Sequence, residues 1–389
     1  MDPLMPARPL PPLLPAQKPW RPRGCDNIAL VLQGGGALGA YQAGVYQALQ
    51  EAGLLPDTIA GVSIGGINAA LIAGNPPERR IQRLREFWEG ITARPVTIFT
   101  PDRDLARKAT NIWSALLTTT LGQPGFFTPN PLSPWLSPRG SKSATAFYNT
   151  TPLHETLRHL VDFDLLNSGA LRYAAGAVNV QNGNFAYFDS TQTTIIPEHV
   201  MASAALPPGF PAVQIGTDHY WDGGLVSNTP LQHVLDNAGS HHMLVFQVDL
   251  FSARGALPRD MDDVLARQKD IQFSSRTRLV TDYFRTRHDR DVLIKQLLAK
   301  IPDDQLDADE RKLKARLAHM PEATILELIY QRAAYETQAK DYEFSAASMH
   351  GHWISGYLDT QRTLRHRNWL EVSHRDAGLS VHDIPRLDD

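Results

Sequence analysis

Apolar positions in the first hundred residues follow two alternating patterns. A continuous apolar run at 28–32 is typical of a buried parallel strand, and a second short run lies at 58–60. Helix-like segments follow the runs at 40–52 and 67–73, and a further helix with apolar residues at helical spacing is predicted at 78–90. This order predicts a parallel α/β sheet with right-handed crossovers.

The alternation resumes in the second half of the chain. Strand-like runs are predicted at 173–180, 185–188, 243–248 and 325–330. Helical patterns are predicted at 199–205, 261–300 and 354–369. Between the two halves, residues 92–150 are rich in Pro, Gly, Ser, Thr and aromatic residues and are too long for a plain connection. We interpret them as an insertion, either a lid or lipid-touching surface or a loop packed by its own aromatics.

Composition narrows the class of protein and its partners. The chain has 389 residues and a formal net charge of -3, which does not favour nucleic acid as a partner. Its single cysteine, Cys25, excludes an intrachain disulfide and fits a reducing, cytoplasmic environment. No run of about eighteen apolar residues is present, so no transmembrane helix is expected. Residues 267–300 carry nine Lys or Arg against four Asp, either a lipid-facing basic surface or a solvated helix face.

The segment Gly61–Gly65 reads Gly-Val-Ser-Ile-Gly and lies between a predicted strand and a predicted helix. A serine between two glycines at such a junction is the sequence form of a nucleophile elbow. The glycines permit the sharp turn, and the N-terminus of the following helix favours negative charge beside Ser63. The pattern alone is equally compatible with a tight turn that holds an idle serine.

A second glycine-rich turn follows the first strand and contains Gly34, Gly35, Gly36 and Ala37. Such a turn exposes several backbone N–H groups on one side. Because neighbouring parallel strands end at the same edge of a sheet, these groups can lie beside Ser63. The sequence therefore predicts that they form an oxyanion hole.

The same turn also matches a dinucleotide fingerprint, with Gly34, Gly36 and Gly39 at the required spacing. That motif needs an acidic residue at the end of the second strand. Asp57 has roughly the right spacing, but it precedes its strand. Nucleotide binding therefore stays a competing hypothesis, and it predicts stabilisation by NAD(P) or flavin.

Asp222 is the candidate base. It follows Tyr220 and Trp221 and precedes Gly223 and Gly224, so its carboxylate is expected in a tight, partly apolar turn. Desolvation in such a turn would raise its proton affinity. A histidine base is not singled out by spacing among the scattered candidates, which are His154, His159, His199, His219, His233, His241 and His242.

Together these segments resemble the patatin-like phospholipases. The resemblance is carried by Gly34–Gly39, Gly61–Gly65, Ala202–Pro207 with Phe210–Pro211, Asp222–Gly224 and Asn228–Pro230. It covers roughly residues 27–250. The region after 260 is similar to the C-terminal extension of a bacterial subgroup often associated with polyhydroxybutyrate metabolism.

The resemblance implies a three-layer α/β/α sandwich with a mostly parallel central sheet, a lid-like insertion and a helical C-terminal extension. It implies a phospholipase A, lipase or carboxylesterase that uses a Ser63–Asp222 dyad and an acyl-enzyme, without metal or cofactor. The substrate would be an acyl-ester lipid, with peripheral contact to a membrane or to a lipid or polymer granule left open. Leu38 stands where many members carry Arg or Lys, which leaves neutral esters open as substrates.

The domain organisation predicted on this basis has three parts. Residues 1–26, with eight prolines before Arg23, form a disordered tail, 27–250 form the catalytic domain, and 251–389 form a mainly helical extension packed on it. The alternative function is a catalytically silent lipid- or partner-binding module on the same fold, against which the complete pair of Ser63 and Asp222 argues.

Overall fold

The computed structural model describes residues 9–92, 104–239, 242–274, 277–318, 322–331, 336–371 and 378–383. The strands in these ranges are β1 Asn27–Leu32, β2 Thr58–Val62, β3 Thr128–Pro129, β4 Tyr148–Asn149, β5 Arg172–Asn179, β6 Phe185–Asp189, β7 Val213–Ile215, β8 Asp218–Asp222, β9 Met243–Asp249, β10 Ala323–Ile329 and β11 Leu379–Asp383. The α-helices are α1 Ala40–Glu51, α2 Ile64–Ala73, α3 Pro77–Thr92, α4 Asp104–Leu121, α5 Thr151–Leu160, α6 Phe163–Asn167, α7 Pro197–Ser203, α8 Leu231–Asp236, α9 Met261–Phe273, α10 Thr277–Leu298, α11 Ala308–Ala318 and α12 Ala346–Leu364.

In the described part of the chain, nine strands form the central sheet, with successive pairing β11-β10-β9-β1-β2-β5-β8-β7. β2 and β8 pair with different parts of one edge of β5, and β6 pairs with its other edge. The six strands from β11 to β5 are parallel to their neighbours, whereas β6, β7 and β8 pair antiparallel. The predicted mostly parallel sheet is therefore confirmed. β1 lies between β2, the next strand in the sequence, and β9, a much later one. The strand order therefore reverses beside β1, and α/β proteins bind ligands at the loops that follow strands at such a position.

Helices cover both faces of this sheet, because successive strand residues point to opposite sides. In β1, Ile28, Leu30 and Leu32 belong to a large apolar cluster that includes residues of α1, α2 and α3. Ala29 and Val31 belong to a second cluster with residues of α8. This arrangement is the predicted three-layer α/β/α sandwich.

The C-terminal segment does more than add helices. β10 pairs with β9 along its full length, and β11 pairs with β10, so both strands extend the central sheet. Ile325 and Leu326 fall in the two opposite apolar clusters, which is the same alternation as in β1. The boundary between 27–250 and 251–389 stays a prediction, since one sheet crosses it.

The Pro-rich segment packs against α1 where it is described, whereas the sequence indicated a disordered tail. The backbone N–H of Gln17 donates to the Glu51 carbonyl at 3.0 Å, and the Trp20 indole N–H donates to the Ala52 carbonyl at 2.8 Å. Arg21 forms an ion pair with Asp57. An amphipathic indole can satisfy both an apolar surface and a backbone acceptor, which accounts for this anchoring. Residues 1–8 lie outside the described residues.

Two further segments show more structure than their patterns predicted. The insertion at 92–150 contains α4 and the short β3–β4 pair, while residues 93–103 lie outside the described residues. The predicted helical segment 261–300 divides into α9 and α10. None of the helices in the described ranges combines the length and the apolar character needed to cross a membrane.

Two glycines bring α1 and α12 into backbone contact. A Cβ atom on Gly44 would lie 1.9 Å from the Trp353 carbonyl oxygen, and one on Gly356 would lie 2.0 Å from the Tyr41 carbonyl oxygen. Neither distance is compatible with a side chain unless the helices separate. This crossing fixes the C-terminal segment to the first half of the chain.

We expect Gly356→Ala to lower the free energy of unfolding by about 1–3 kcal/mol, because the added methyl group overpacks the crossing. Thermal unfolding of the purified protein measures this. Gly90→Ala is the matched control, since Gly90 lies inside α3 with no atom within 4 Å of its Cβ position. There alanine should stabilise by about 0.5–1 kcal/mol. Equal effects of the two substitutions would contradict the close crossing.

Candidate active site

Ser63 lies between β2 and α2 in a strained conformation. Its φ is 56° and its ψ is −128°, and it is the only non-glycine residue with positive φ among the described residues. Helix α2 begins at Ile64, earlier than predicted, so Ser63 lies directly at the helix N-terminus. A Cβ on Gly65 would lie 2.3 Å from the Leu32 carbonyl oxygen, which explains the glycine after the serine. Strain of this kind persists only where the surroundings impose it, and it is characteristic of functional sites.

Asp222 reaches Ser63 because β2 and β8 run along the same edge of β5 in opposite directions. The parallel register of β2 ends with Val62 opposite Gly176. The antiparallel register of β8 ends with Asp222 opposite Ala177, the next residue of β5. The two strands therefore end head to head, and their terminal side chains meet.

The Asp222 carboxyl is almost completely buried, with 1% of the residue exposed. Its Oδ1 accepts a hydrogen bond of 2.7 Å from the Gly224 backbone N–H. Its Oδ2 is buried, and within the described ranges no group completes a well-aligned hydrogen bond to it. Burial raises the pKa of Asp222 to about 7, although the neighbouring Ser63 hydroxyl and the Gly224 N–H lower it. The carboxyl is thus a stronger base than an exposed aspartate.

The four predicted oxyanion donors are not equivalent. The Gly34 N–H donates to the Asn228 carbonyl at 3.2 Å, and the Ala37 N–H donates to the Asp341 carbonyl at 2.9 Å. The N–H groups of Gly35 and Gly36 have no acceptor in the part of the chain that the structure describes, and both residues line the cavity beside Ser63. The candidate donors therefore narrow to these two. Both competing acceptors come from distant parts of the sequence, so the pattern could not reveal them.

Asn228 braces the glycine-rich turn. Its Nδ2 donates to the Gly34 carbonyl at 3.0 Å and to the Phe273 carbonyl at 2.9 Å. A Cβ on Gly34 would lie 2.4 Å from Asn228 Oδ1 and 2.9 Å from Ser63 Cβ. The turn thus lies directly against the side chains of both Asn228 and Ser63. Sequence reasoning noted Asn228 only as part of the family resemblance and assigned it no role.

The block Ala202–Pro207 holds both candidate catalytic residues. The Ser63 backbone N–H donates to the Ser203 carbonyl at 3.1 Å, and the Asp222 N–H donates to the Ala205 carbonyl at 3.0 Å. Ser203 is fully buried at the end of α7. One short segment therefore bonds the backbone on both sides of the site, a role that the sequence alone did not indicate.

A cavity of about 140 Å³ opens above Ser63, with mainly apolar walls. Phe126 and Phe127 come from the insertion, Phe210 follows the 202–207 block, and Phe344 comes from the C-terminal segment. The ring centroids of Phe127 and Phe210 are 5.3 Å apart, and those of Phe126 and Phe344 are 6.1 Å apart. Three distant parts of the chain thus form one aromatic wall.

The insertion contributes Phe126 and Phe127 to the cavity wall, where they pack against Phe210 and Phe344 from other parts of the chain. Phe126 and Phe127 are buried, whereas Trp113, Trp135 and Leu136 are exposed. The first two account for part of the cavity wall. A lipid-touching role for the exposed three stays a prediction.

The competing candidates lie elsewhere. Asp57 precedes β2 and so lies at the end of the sheet opposite to Ser63. There it forms an ion pair with Arg21 and accepts a hydrogen bond of 2.8 Å from the Ile28 backbone N–H, so it cannot serve the dinucleotide motif.

The histidines lie away from Ser63. His233 Nε2 lies 2.9 Å from Asp189 Oδ2, and no histidine in the described ranges lines the cavity. Leu38 is buried in the core and does not line the cavity. No group of three or more described His, Cys, Asp or Glu residues could hold a metal ion. His241 lies outside the described residues.

Comparison with known proteins supports the family resemblance. A model of the family described as patatin-like phospholipase matches residues 30–235, more than half of the chain, and one described as patatin phospholipase matches 271–376. Lysophospholipase NTE1 of Cryptococcus neoformans is 27% identical over 241 residues, which cover 61% of this chain and 12% of that protein. Patatin-like phospholipase domain-containing protein 6 of Homo sapiens is 39% identical over 90 residues, or 23% of this chain and 6% of that protein.

The chain thus spans only a small part of the length of these curated relatives. Among solved structures, VipD from Legionella pneumophila superposes with a TM-score of 0.37 and 14% sequence identity, covering 87% of this chain and 67% of that chain. The association with polyhydroxybutyrate metabolism stays a prediction.

We expect Asp222→Asn to raise the thermal unfolding temperature by a few degrees at pH 8.5. Burial raises the pKa of Asp222 to about 7 in the folded state, whereas an aspartate in the unfolded chain ionises near pH 4. The wild-type protein therefore loses stability as the pH rises from about 4 to about 7, because the folded state must then hold a buried charge. Asparagine keeps the acceptor for Gly224 and carries no charge. Calorimetry at pH 5 and pH 8.5 measures the difference.

At pH 5 the advantage of Asp222→Asn should nearly disappear, since the wild-type carboxyl is then mostly protonated. Asp304→Asn is the control for charge removal at an exposed position. An equal gain at both pH values, or a lower unfolding temperature at pH 8.5, would contradict the raised pKa.

Proposed function

The chain belongs to the patatin-like phospholipase family, and from that premise we propose that it is a serine acyl hydrolase that cleaves lipid or other acyl esters. The phospholipase and lysophospholipase names of its relatives support a lipid ester as substrate. One observation carries the proposal: Ser63, in a strained elbow, meets the buried carboxyl of Asp222 in an apolar cavity. The reaction is of the phospholipase A, lipase or carboxylesterase type.

The first step is attack of Ser63 Oγ on the ester carbonyl. Asp222 accepts the serine proton, and its raised pKa brings its proton affinity closer to neutral pH than that of an ordinary aspartate. The strained backbone of Ser63 presents the hydroxyl at the top of the turn. This pair performs the task of a serine–histidine pair without a third residue.

The negative charge that forms on the carbonyl oxygen needs donors beside Ser63. The N–H groups of Gly35 and Gly36 supply them, and the N-terminus of α2 adds a favourable dipole. Because Asn228 and Asp341 occupy the N–H groups of Gly34 and Ala37, the turn is fixed before substrate arrives. A preorganised donor of this kind contributes about 2.7–4 kcal/mol to transition-state stabilisation.

The second half of the reaction regenerates the enzyme. Asp222 returns its proton to the leaving alcohol, which leaves an acyl-serine at Ser63. Asp222 then accepts a proton from a water molecule, whose oxygen attacks the acyl carbon. When the bond from that carbon to Ser63 Oγ breaks, Asp222 passes the proton to Oγ, so the carboxylic acid leaves and both residues return to their starting state. The aromatic wall around Phe126, Phe127 and Phe210 holds the acyl chain throughout.

We expect Ser63→Ala to lower the turnover of acyl esters by at least about 10³-fold, because the residual rate without a nucleophile comes from binding and the oxyanion donors alone. Turnover of a p-nitrophenyl ester series measures this, and a fluorophosphonate probe should label the wild-type protein at Ser63 only. Ser168→Ala, an exposed serine, is the matched control. Unchanged turnover in Ser63→Ala would overturn the mechanism, and a wild-type protein that resists the probe would favour the silent binding module.

The pH dependence of kcat/KM should follow the ionisation of Asp222. The base acts only when ionised, so the rate should rise about tenfold per pH unit below pH 7 and level off above it. The measurement uses a soluble short-chain ester whose own hydrolysis is subtracted. A rate that stays constant down to pH 5, or that rises as pH falls, would exclude Asp222 as the base.

A further inference from the structure

Helix α9 exposes its apolar side to solvent. Met261 is 69% exposed, Val264 41%, Leu265 38% and Ile271 59%. At 3.6 residues per turn, these four residues and the exposed Gln268 and Gln272 fall within an arc of about 120°. We call this set the α9 face. It carries no charged residue, whereas an ordinary surface helix turns such a stripe toward the core.

The five charged residues of α9 all lie outside this arc, and each has a partner within the protein. Lys269 Nζ contacts Asp341 Oδ1 at 2.6 Å, and Asp270 Oδ1 contacts Lys340 Nζ at 2.6 Å. Arg267 donates to the Ser252 carbonyl at 3.0 Å. Asp262 accepts from the Gln338 N–H, and Asp263 accepts from the Arg259 N–H at 3.2 Å. The helix therefore cannot rotate its apolar side inward without breaking buried ion pairs.

The C-terminal end of α9 adjoins the catalytic cavity. Phe273, the last residue of α9, lines that cavity, and the Lys269 ammonium lies 4.8 Å from the ring centroid of Tyr342, which also lines it. Gln272 shares a small surface cavity with Leu225 and Val226, which follow the Asp222 turn and are about half exposed. The C-terminal end of α9 thus lies next to two exposed apolar residues, Leu225 and Val226, beside the active site.

We propose that the α9 face, extended by Leu225 and Val226, is the surface that docks on an aggregated lipid, such as a bilayer or micelle, and brings the cavity to its substrate. This rests on the proposed lipid esterase function. An uncharged apolar stripe inserts among acyl chains at an interface, where it recovers the hydrophobic free energy that it lacks in water. Its position beside the cavity lets an ester pass from the lipid to Ser63 without crossing bulk water.

The composition of the α9 face also predicts which kind of lipid surface it binds. Because it carries no charge, docking should depend little on anionic lipid or on salt. The basic residues of α10 would favour the opposite behaviour, since attraction to anionic lipid weakens as salt screens it. Binding to zwitterionic phosphatidylcholine vesicles therefore distinguishes docking through the α9 face from docking through the basic residues of α10.

The test measures vesicle binding in the Ser63→Ala background, so that lipid is not consumed. We expect the 389-residue Ser63→Ala chain to float with phosphatidylcholine vesicles at both 0.1 M and about 1 M salt. Adding Met261→Gln, Leu265→Gln and Ile271→Gln should weaken binding at least tenfold. The matched control adds Leu293→Gln, Leu297→Gln and Leu358→Gln, which are similarly exposed on α10 and α12, and it should bind like the parent.

In the active background, the α9 triple variant should lose at least tenfold in turnover of vesicle lipid relative to turnover of a soluble short-chain ester. Retained soluble-ester turnover shows that the variant is folded. Equal vesicle binding by variant and parent would overturn the proposal, as would binding that requires anionic lipid and disappears at high salt. A wild-type dimer that the triple variant converts to monomer, with vesicle binding unchanged, would assign the face to a second copy of the chain.

These outcomes separate the docking surface from the chemistry. If Ser63→Ala keeps ester turnover, the proposed function fails whatever the flotation result is. If Ser63→Ala abolishes turnover while the triple variant still floats with vesicles, the esterase stands and the α9 face is not its docking surface.

Discussion

The site depends on one constraint, which is that β2 and β8 share an edge of β5 and run toward each other. Val62 ends opposite Gly176, and Asp222 ends opposite Ala177, so the serine and the carboxyl meet without any long loop to position them. The junction is tight. A Cβ on Gly223 would lie 2.6 Å from the Gly176 carbonyl oxygen, so the turn after Asp222 must be glycine for the strands to approach this closely.

This meeting is costly, and the surrounding contacts hold it together. Ser63 is strained, and Asp222 is buried with one oxygen lacking a well-aligned partner among the described residues. Both are features that a protein without function would lose, because relieving them would increase stability. They persist because Ser203 and Ala205 bond the two backbones and Asn228 bonds the glycine-rich turn. This region therefore keeps a strained geometry at the expense of stability, as is expected of a catalytic site.

Local patterns predicted the elements but not their contacts. The apolar runs of β1 and β9 and the Gly-x-Ser-x-Gly turn depend on neighbours in the sequence, so they could be predicted from it. The partners of Gly34 and Ala37 could not, because Asn228 and Asp341 reach them only in the folded chain. The helical period of α9 was visible, but its orientation was not, since residues 338–341 determine which side faces inward. Short β11 was missed because its pairing with β10 decides its structure. The helix α4 was missed because the Pro and Gly residues around it gave 92–150 the composition of an irregular insertion.

The segment around Asp341 connects the chemistry with the exposed surface. Its carbonyl oxygen occupies the Ala37 N–H and so fixes the turn that presents Gly35 and Gly36, while its carboxyl pairs with Lys269 on α9. The neighbouring Lys340 pairs with Asp270 on the same helix, and both partners are largely buried. A rotation of α9 that hid its apolar face would break both ion pairs and release the segment that bonds the glycine-rich turn. Exposure of that face and order in the candidate site thus depend on the same segment, because residues 340–341 bond both the glycine-rich turn and the charged side of α9.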